Sequence, residues 1–163
     1  MERRLIVMRH AKSDWESEAP GDHERPLSKR GRRDAPRVGK RLAKLGWKPE
    51  LVLSSDATRA TETWQRMSDA FEETEVRYLP SFYMAGPEAV RQAAADVPAT
   101  VSTLLVLGHN PGWEGLLESL AGKQKRLTTA NAALLHVEAE SWPEALSKAG
   151  DWRLKKVIRP KDL

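Results

Sequence analysis

Short apolar segments alternate with amphipathic segments along this chain, and this alternation constrains the fold more than any other feature of the sequence. Strands are predicted at 4–8, 50–55, 75–79 and 102–110, with two closing strands, antiparallel and nearer an edge, at 131–139 and 151–158. Helices are predicted around 28–45 and over 56–73, 86–97 and 111–122. The pattern indicates a single α/β domain over residues 1–163, with a mostly parallel central sheet and helices on both of its faces.

Length and composition narrow the possible classes of protein. A chain of 163 residues is long enough for one domain with a proper core. It contains no cysteine, which excludes a disulfide framework, a thiolate nucleophile and a cysteine metal site. No apolar run approaches the length needed to cross a bilayer, so no membrane association is expected. The apolar stretch Leu5–Met8 is too short for the core of a signal peptide, and a cytoplasmic location is therefore expected.

Positive charge is concentrated in residues 28–48, which carry nine Lys or Arg and the single acid Asp34. Val38, Leu42 and Leu45 recur there at helical spacing, so the basic residues are expected on the outer face of an amphipathic helix. This face has two interpretations, a solvated surface or a docking surface for an acidic protein partner. No nucleic-acid-binding motif is present, and no nucleic-acid partner is expected.

Charged residues fall at the carboxyl ends of predicted strands, which is where open α/β sheets bind ligands. Arg9 and His10 follow the first strand, and His109 lies at the end of the strand 102–110. Arg59 lies in the first turn of the helix that follows the second strand. Two guanidinium groups and two imidazoles suit the oxygens of a phosphoryl group. The sequence therefore predicts a phosphate site built from these four side chains.

A metal site is the competing interpretation, because histidine is a common metal ligand. However, Arg9 would repel a cation, and no carboxylate occurs at a recognisable metal-binding spacing. The dinucleotide-binding glycine pattern and the P-loop are also absent. We therefore expect no metal and no cofactor. At a phosphate site of this kind, a histidine is suited to attack phosphorus and form a phosphohistidine, which water then hydrolyses.

Several short motifs resemble those of a known family. The stretch RHAKS at 9–13 resembles the Arg-His-Gly motif of the histidine phosphatase superfamily, with Ala11 in place of the usual glycine. Further motifs are similar to the small SixA-type phosphohistidine phosphatase branch: ERPLSKRG (24–31), SSDATRATET (54–63), FYMAGPE (82–88), VLGHNPG (106–112) and the final RLKKVIRPKDL. The resemblance implies a three-layer α/β/α sandwich with a phosphoglycerate mutase-like fold. It also implies that His10 is the phosphorylated nucleophile and that Arg9, Arg59 and His109 complete the phosphate pocket.

The long loop 11–27 supplies the remaining candidates for substrate binding. Lys12 is expected to touch phosphate through its amine, and Ser13 through its amide or hydroxyl. Arg25 is expected either to line the mouth of the pocket or to pair with a surface acid. The tryptophans are expected in core or half-buried packing, with Trp113 as a further candidate for the pocket wall.

The general acid of larger family members has no evident counterpart in this chain. Glu88 follows Pro87 and is interpreted as a residue that helps a helix to begin. Asp14, Asp22 and His23 are the candidates in the long loop, with Asp22 first, although each is also typical of a solvated loop or a turn. A phosphohistidine releases an imidazole whose conjugate acid has a pKa near ~6.5, so it leaves with less help than an alkoxide does.

Together these features favour a metal-independent phosphatase that forms phosphohistidine on His10 and acts on phosphohistidine of a signalling protein. The substrate is thus a phosphorylated protein, or in a second interpretation a small phosphorylated molecule cleaved by a phosphomonoesterase or mutase of the same superfamily. A third interpretation is a non-catalytic phosphoprotein-binding module. Such a module would keep its affinity after His10→Ala and show no turnover.

Overall fold

The computed structural model describes residues 1–163 and contains one six-stranded sheet with the strand order β3-β2-β4-β1-β5-β6. The strands are β1 (Glu2–Arg9), β2 (Leu51–Ser55), β3 (Glu75–Leu79), β4 (Thr103–Gly108), β5 (Ala132–Glu138) and β6 (Arg153–Ile158). The helices are α1 (Lys29–Lys44), α2 (Thr58–Met67), α3 (Pro87–Ala93), α4 (Gly112–Ala121) and α5 (Trp142–Leu146). The first four strands pair in parallel, whereas β5 and β6 pair antiparallel at one edge, as predicted.

Alternate side chains of β1 enter two different cores, one on each face of the sheet. Leu5 and Val7 pack with residues of α3, α4 and α5, whereas Ile6 and Met8 pack with residues of α1 and α2. All four side chains are fully buried, which is typical of a central strand covered by helices on both faces. The predicted three-layer α/β/α sandwich is therefore confirmed.

Two helices end earlier than predicted, and one short helix was not predicted. The second helix ends at Met67 and continues only as a 3-10 turn over Ser68–Ala70, and the third ends at Ala93 before another such turn. The sequence prediction missed α5, which has five residues and begins after the capping hydroxyl of Ser141. So short a helix shows no clear periodicity, and its cap is its main local signal.

Helix α1 has the predicted amphipathic character. Val38 and Leu42 are buried, but Leu45 lies just beyond the helix end and is exposed, contrary to the predicted apolar face. Asp34 is buried, and its carboxylate lies within 4 Å of three arginines of the same helix: Arg30, Arg33 and Arg37. No helix of the protein combines the length and apolar character that a membrane span needs.

After the neighbouring parallel strands β1 and β4, the chain passes to opposite faces of the sheet. Arg9 and Gly108 are partners in the register of this pair. After β1 the chain passes through α1 on one face, and after β4 it passes through α4 on the other. Such a switch point opens a crevice at the carboxyl ends of the strands. His10 and His109, each one residue past its strand, are thereby brought to the same crevice.

Candidate active site

The residues that follow β1 hold the His10 ring in one tautomer. The backbone amide of His10 donates to the carbonyl of Gly108 at 3.1 Å, and that of Ala11 donates to Oγ1 of Thr63 at 3.0 Å. Nδ1 of His10 lies 2.7 Å from the carbonyl oxygen of Ala11. Because a carbonyl oxygen only accepts, Nδ1 carries the proton and Nε2 keeps the free lone pair.

The surroundings of His10 keep its imidazole uncharged. Only 7% of the residue is exposed, and this burial, with smaller contributions from His109, Arg59 and Arg9, lowers the pKa of His10 to about 3. A neutral imidazole with a free Nε2 has the form that a nucleophile requires.

His109 lies beside His10 with its ring centroid 5.2 Å away. Its Nε2 is hydrogen-bonded to the hydroxyl of Ser55 at 2.8 Å, whereas its Nδ1 is buried and has no partner in the protein. The residue is 1% exposed, and burial together with the charge of Arg59 lowers its pKa to about 4. The hydroxyl of Ser55 also accepts from the amide of Ala57 just before α2, and it orients this histidine.

Two arginines bring positive charge to the histidine pair. Arg9 is half-buried and donates to the carbonyl of Leu127 at 3.2 Å, and Arg59 is buried. Nε of each arginine is buried and has no partner in the protein. Buried donors are nearly always paired, so these nitrogens, with Nδ1 of His109, indicate a site built for an oxyanion.

Asp22 links Arg59 and Arg25 into one network. Its Oδ2 accepts from Nη2 of Arg59 at 3.0 Å and from the hydroxyl of Tyr83 at 2.6 Å, and its Oδ1 accepts from Nη2 of Arg25 at 2.9 Å. The Tyr83 hydrogen bond and the two guanidinium groups hold the pKa of Asp22 far below its usual range. These contacts favour an ionised carboxylate at Asp22 and argue against the interpretation of this residue as a proton donor.

The other candidate acids do not line the cavity that holds His10, although the ring of His23 packs edge-on against Tyr83 with 4.9 Å between the ring centroids. Glu88 is exposed and pairs with Arg91 at 3.1 Å, in keeping with its predicted place in the first turn of α3. Oδ1 of Asp14 accepts from the amide of Glu16 in a local turn. His23 pairs with Asp56 at 2.9 Å and does not line the cavity that holds His10.

All eight predicted site residues line one cavity of about 210 Å³. They are Arg9, His10, Lys12, Ser13, Asp22, Arg25, Arg59 and His109. Arg25 satisfies both of its interpretations, because it lines the cavity and also pairs with Asp22, while a second guanidinium nitrogen donates to the hydroxyl of Ser13. Four lining residues were not predicted: Trp15, Met84, Asn110 and Thr129.

Trp15 contradicts the expectation that every tryptophan packs in or near a core. It is 70% exposed, and the guanidinium carbon of Arg25 lies 3.5 Å from its ring centroid. Trp113, the expected wall residue, is instead buried and donates from Nε1 to the carbonyl of Val106. The other four tryptophans are buried as predicted. Tyr83 and Met84 lie in the FYMAGPE motif, which was the only local signal for their place at the site.

Two motif glycines are required by close backbone packing around the site. A Cβ at Gly31 would overlap the carbonyl oxygen of Lys12, and one at Gly112 would overlap that of Ala85. The first contact holds the start of α1 against the loop after β1. The second holds the turn that carries Tyr83 and Met84 against the segment after His109. No group of three or more metal-ligating side chains of His, Cys, Asp or Glu occurs in the protein.

Comparisons with known proteins agree with this arrangement. The model of the histidine phosphatase superfamily (branch 1) matches residues 5–83. An uncharacterized chloroplastic protein of Arabidopsis thaliana is 45% identical over 97% of this chain and 78% of its own length. A protein of Nakamurella multipartitia, assigned as the phosphohistidine phosphatase SixA, superposes with a TM-score of 0.86 at 27% identity and covers 98% of this chain and 97% of its own. A similarly assigned protein of Agrobacterium tumefaciens has a TM-score of 0.81 at 27% identity and covers 97% and 98%.

Proposed function

This chain belongs to the histidine phosphatase superfamily, and we propose from its site that it removes phosphate from phosphohistidine on a protein, through a phosphorylated His10. One observation carries this proposal. The neutral His10, with Nδ1 held by a carbonyl and Nε2 free, lies beside three side chains whose buried nitrogens have no partner in the protein. The likeness to proteins assigned as SixA supports the same substrate class.

In the first step, Nε2 of His10 attacks the phosphorus of the substrate. A P–N bond to Nε2 forms while the P–N bond of the substrate breaks, and the electron pair of that bond leaves with the substrate nitrogen. Arg9, Arg59 and Nδ1–H of His109 bind the phosphoryl oxygens and stabilise their charge. Nδ1–H of His10 continues to donate to the Ala11 carbonyl, so the phosphorylated ring carries a stabilised positive charge.

In the second step, water attacks the phosphorus and displaces His10. Because Nδ1 keeps its proton throughout, Nε2 leaves as the nitrogen of a neutral imidazole and needs no proton from the protein. The water supplies the new oxygen and both of its protons to the product, dihydrogen phosphate, which then ionises in solution. Neither step requires a metal ion.

The choice of phosphohistidine rests on the absence of a proton donor at the leaving group. Asp22 is held ionised by its three partners, and the other candidate acids, Asp14, His23 and Glu88, do not line the cavity. An alkoxide needs a proton as it leaves, whereas an imidazole with a conjugate-acid pKa of ~6.5 does not need so strong an acid. The site is therefore better suited to P–N bonds than to ordinary phosphate esters.

A groove next to the cavity supports the small-molecule phosphomonoesterase as a second candidate. The groove has a volume of about 680 Å³, shares Arg9 and Asn110 with the phosphate cavity, and is lined by Lys125 and Arg126. Such a polar groove would hold the rest of a small phosphorylated ester. It would equally hold a protein segment beside a phosphohistidine, so the groove alone does not decide between the two substrates.

Phosphate release from two substrates tests the proposal. The protein is incubated in EDTA with a histidine-phosphorylated phosphotransfer domain and, separately, with a sugar phosphate. We expect fast release from the protein substrate, its loss in His10→Ala, and its retention in His136→Ala, which removes a half-buried histidine of β5 outside the site. Faster release from the sugar phosphate would overturn the substrate class. Release from neither, with phosphoprotein still bound by His10→Ala, would indicate a binding module.

The basic helix face supports a further part of the proposal, an acidic protein partner. Arg30, Arg33 and Arg37 border a cleft of about 200 Å³ that shares Thr129 with the phosphate cavity. An acidic surface bound there would lie beside the phosphorylated residue that enters the cavity. The acidic partner and the cytoplasmic location remain predictions.

A further inference from the structure

Two large apolar side chains are exposed at the rim of the phosphate cavity. Trp15 is 70% exposed and Met84 is 53% exposed, and both line the cavity that contains His10. The other large apolar side chains that are exposed, Met1, Leu45 and Tyr78, lie outside it. The walls of the cavity are otherwise almost entirely polar, so an apolar contact is concentrated at its mouth. Exposed aromatic residues beside a polar pocket are typical of ligand contacts.

Each apolar side chain rests on one of the arginines that flank Asp22. The ring of Trp15 covers the guanidinium of Arg25, with 3.5 Å between the carbon of that group and the ring centroid. Sδ of Met84 lies 3.7 Å from Nη2 of Arg59. Arg25 and Arg59 in turn bind different oxygens of Asp22. Trp15 and Met84 therefore each contact an arginine of the same ion network, which helps to hold them at the rim of the cavity.

The backbone at Met84 supports a functional reason for this placement. Its φ is +50°, in the left-handed region that side chains other than glycine rarely adopt. The chain just before Met84 is fixed in place, because Tyr83 donates to Asp22 and Phe82 is buried against Trp113. An unfavourable conformation that its surroundings enforce is found preferentially at ligand sites. Here it keeps a large apolar side chain at the mouth of the cavity.

We propose that Trp15 and Met84 form a leaving-group subsite that takes a flat ring, the imidazole of phosphohistidine, while its phosphoryl group lies among the arginines and histidines. This inference rests on the proposed function and adds the residues that select its substrate. The Trp15 ring lies on Arg25 but is 70% exposed, so in this proposal the incoming imidazole stacks on its exposed surface. The thioether of Met84 is suited to contact the edge of the same ring.

The chemistry of the step fits such a subsite. The P–N bond of the substrate breaks as the bond to Nε2 of His10 forms, and the ring leaves with the electron pair. It leaves as a neutral imidazole because its second ring nitrogen carries a proton. A stacked ring also lies in a defined orientation, which places phosphorus near Nε2 before the reaction. The hydroxyl groups of a sugar would lose water against these apolar surfaces without gaining partners, so a sugar phosphate would be selected against.

Two small phosphate donors with the same scissile bond distinguish an effect on ring binding from an effect on bond cleavage. Phosphoimidazole and phosphoramidate both contain a P–N bond, but only the first contains a ring. We expect Trp15→Ala to lower kcat/KM for phosphoimidazole by about tenfold, the usual order for loss of one stacking contact, and to change it for phosphoramidate by less than about twofold. Met84→Ala should act in the same direction with a smaller effect, about threefold. Trp15→Phe should restore most of the activity, because it keeps an aromatic face.

Tyr78→Ala is the matched control, because it removes an exposed aromatic ring from β3, away from the cavity. It should leave both donors unaffected. An equal loss of activity towards both donors in Trp15→Ala would show that Trp15 acts only by supporting Arg25, and would overturn the subsite while leaving the phosphatase intact. An unchanged activity towards both donors would overturn it in the same way. If the unaltered protein cleaves neither donor and forms no phosphohistidine, the proposed function and this inference both fail.

Discussion

Acidification from pH 7 to pH 5 should destabilise this protein, because His10 and His109 are buried in their neutral form. Their pKa values are lowered to about 3 and about 4, whereas an imidazole in the unfolded chain has a pKa of ~6.5. As the pH falls through ~6.5, the unfolded chain therefore binds protons that the folded protein does not. Proton binding then favours unfolding, and stability falls until the pH reaches the folded pKa values.

The loss of stability follows from these two pKa shifts. Below the unfolded pKa, each histidine lowers the free energy of unfolding by about 1.4 kcal/mol per pH unit. Integrated from pH 7 to pH 5, this amounts to about 2 kcal/mol for each ring, or about 4 kcal/mol for the pair. Only 7% of His10 and 1% of His109 are exposed, so solvent screening reduces these figures little. Such a loss is a large fraction of the stability of a typical domain.

Urea unfolding at pH 7, 6 and 5 measures this effect. His10→Gln and His109→Gln should each remove about half of the pH dependence, whatever they do to stability at pH 7. His23 acts in the opposite direction, because its hydrogen bond to Asp56 raises its pKa and adds stability as the pH falls, but its exposure keeps this effect small.

A free energy of unfolding that stays constant between pH 7 and pH 5 would refute the reasoning. So would an equal slope in the protein and in both site variants. Either result would mean that the two rings are charged or solvated in the folded protein. His10 would then not be the neutral nucleophile that attacks in the first step of the proposed mechanism.

Three further predictions concern the surroundings of the site. Asp22→Asn should lower kcat/KM by about tenfold, because an ionised Asp22 orients Arg25 and Arg59. The factor should be the same for good and poor leaving groups, because Asp22 donates no proton. A loss confined to poor leaving groups would show that Asp22 is a general acid. Tyr83→Phe should cost about 1 kcal/mol in urea unfolding, since its hydroxyl donates to that carboxylate near solvent, and no loss would show that water replaces the bond. Gly31→Ala should cost about 3 kcal/mol, because its Cβ would overlap the Lys12 carbonyl. Gly115→Ala is the control in another helix, because the atom nearest to its added Cβ lies 4.0 Å away. It should leave stability unchanged or raise it in the same assay. Similar losses of stability in both variants would refute the packing argument.

The sequence by itself determined the fold class and the centre of the site. Side-chain periodicity is a local property, so the strands and the longer helices are legible from the spacing of apolar residues. The place of Arg9, His10 and His109 follows from the same pattern, because the first two follow one predicted strand, the third lies at the end of another, and parallel strands end at one edge of the sheet. Arg59 was found in the same way, from the first turn of the helix after β2.

Only the tertiary structure decided what surrounds these four side chains. Asp22 meets Tyr83 across 61 positions of the chain, and Ser55 meets His109 across 54, so no local pattern records either contact. The charge state of Asp22 depends on its partners, which argue against its sequence interpretation as an acid. Trp15 is exposed because its ring covers Arg25 at the rim and not a core, although hydrophobicity alone favours burial. Local periodicity thus specifies where a side chain leaves the backbone, whereas long-range packing specifies which partners it meets and, through them, its charge and its chemistry.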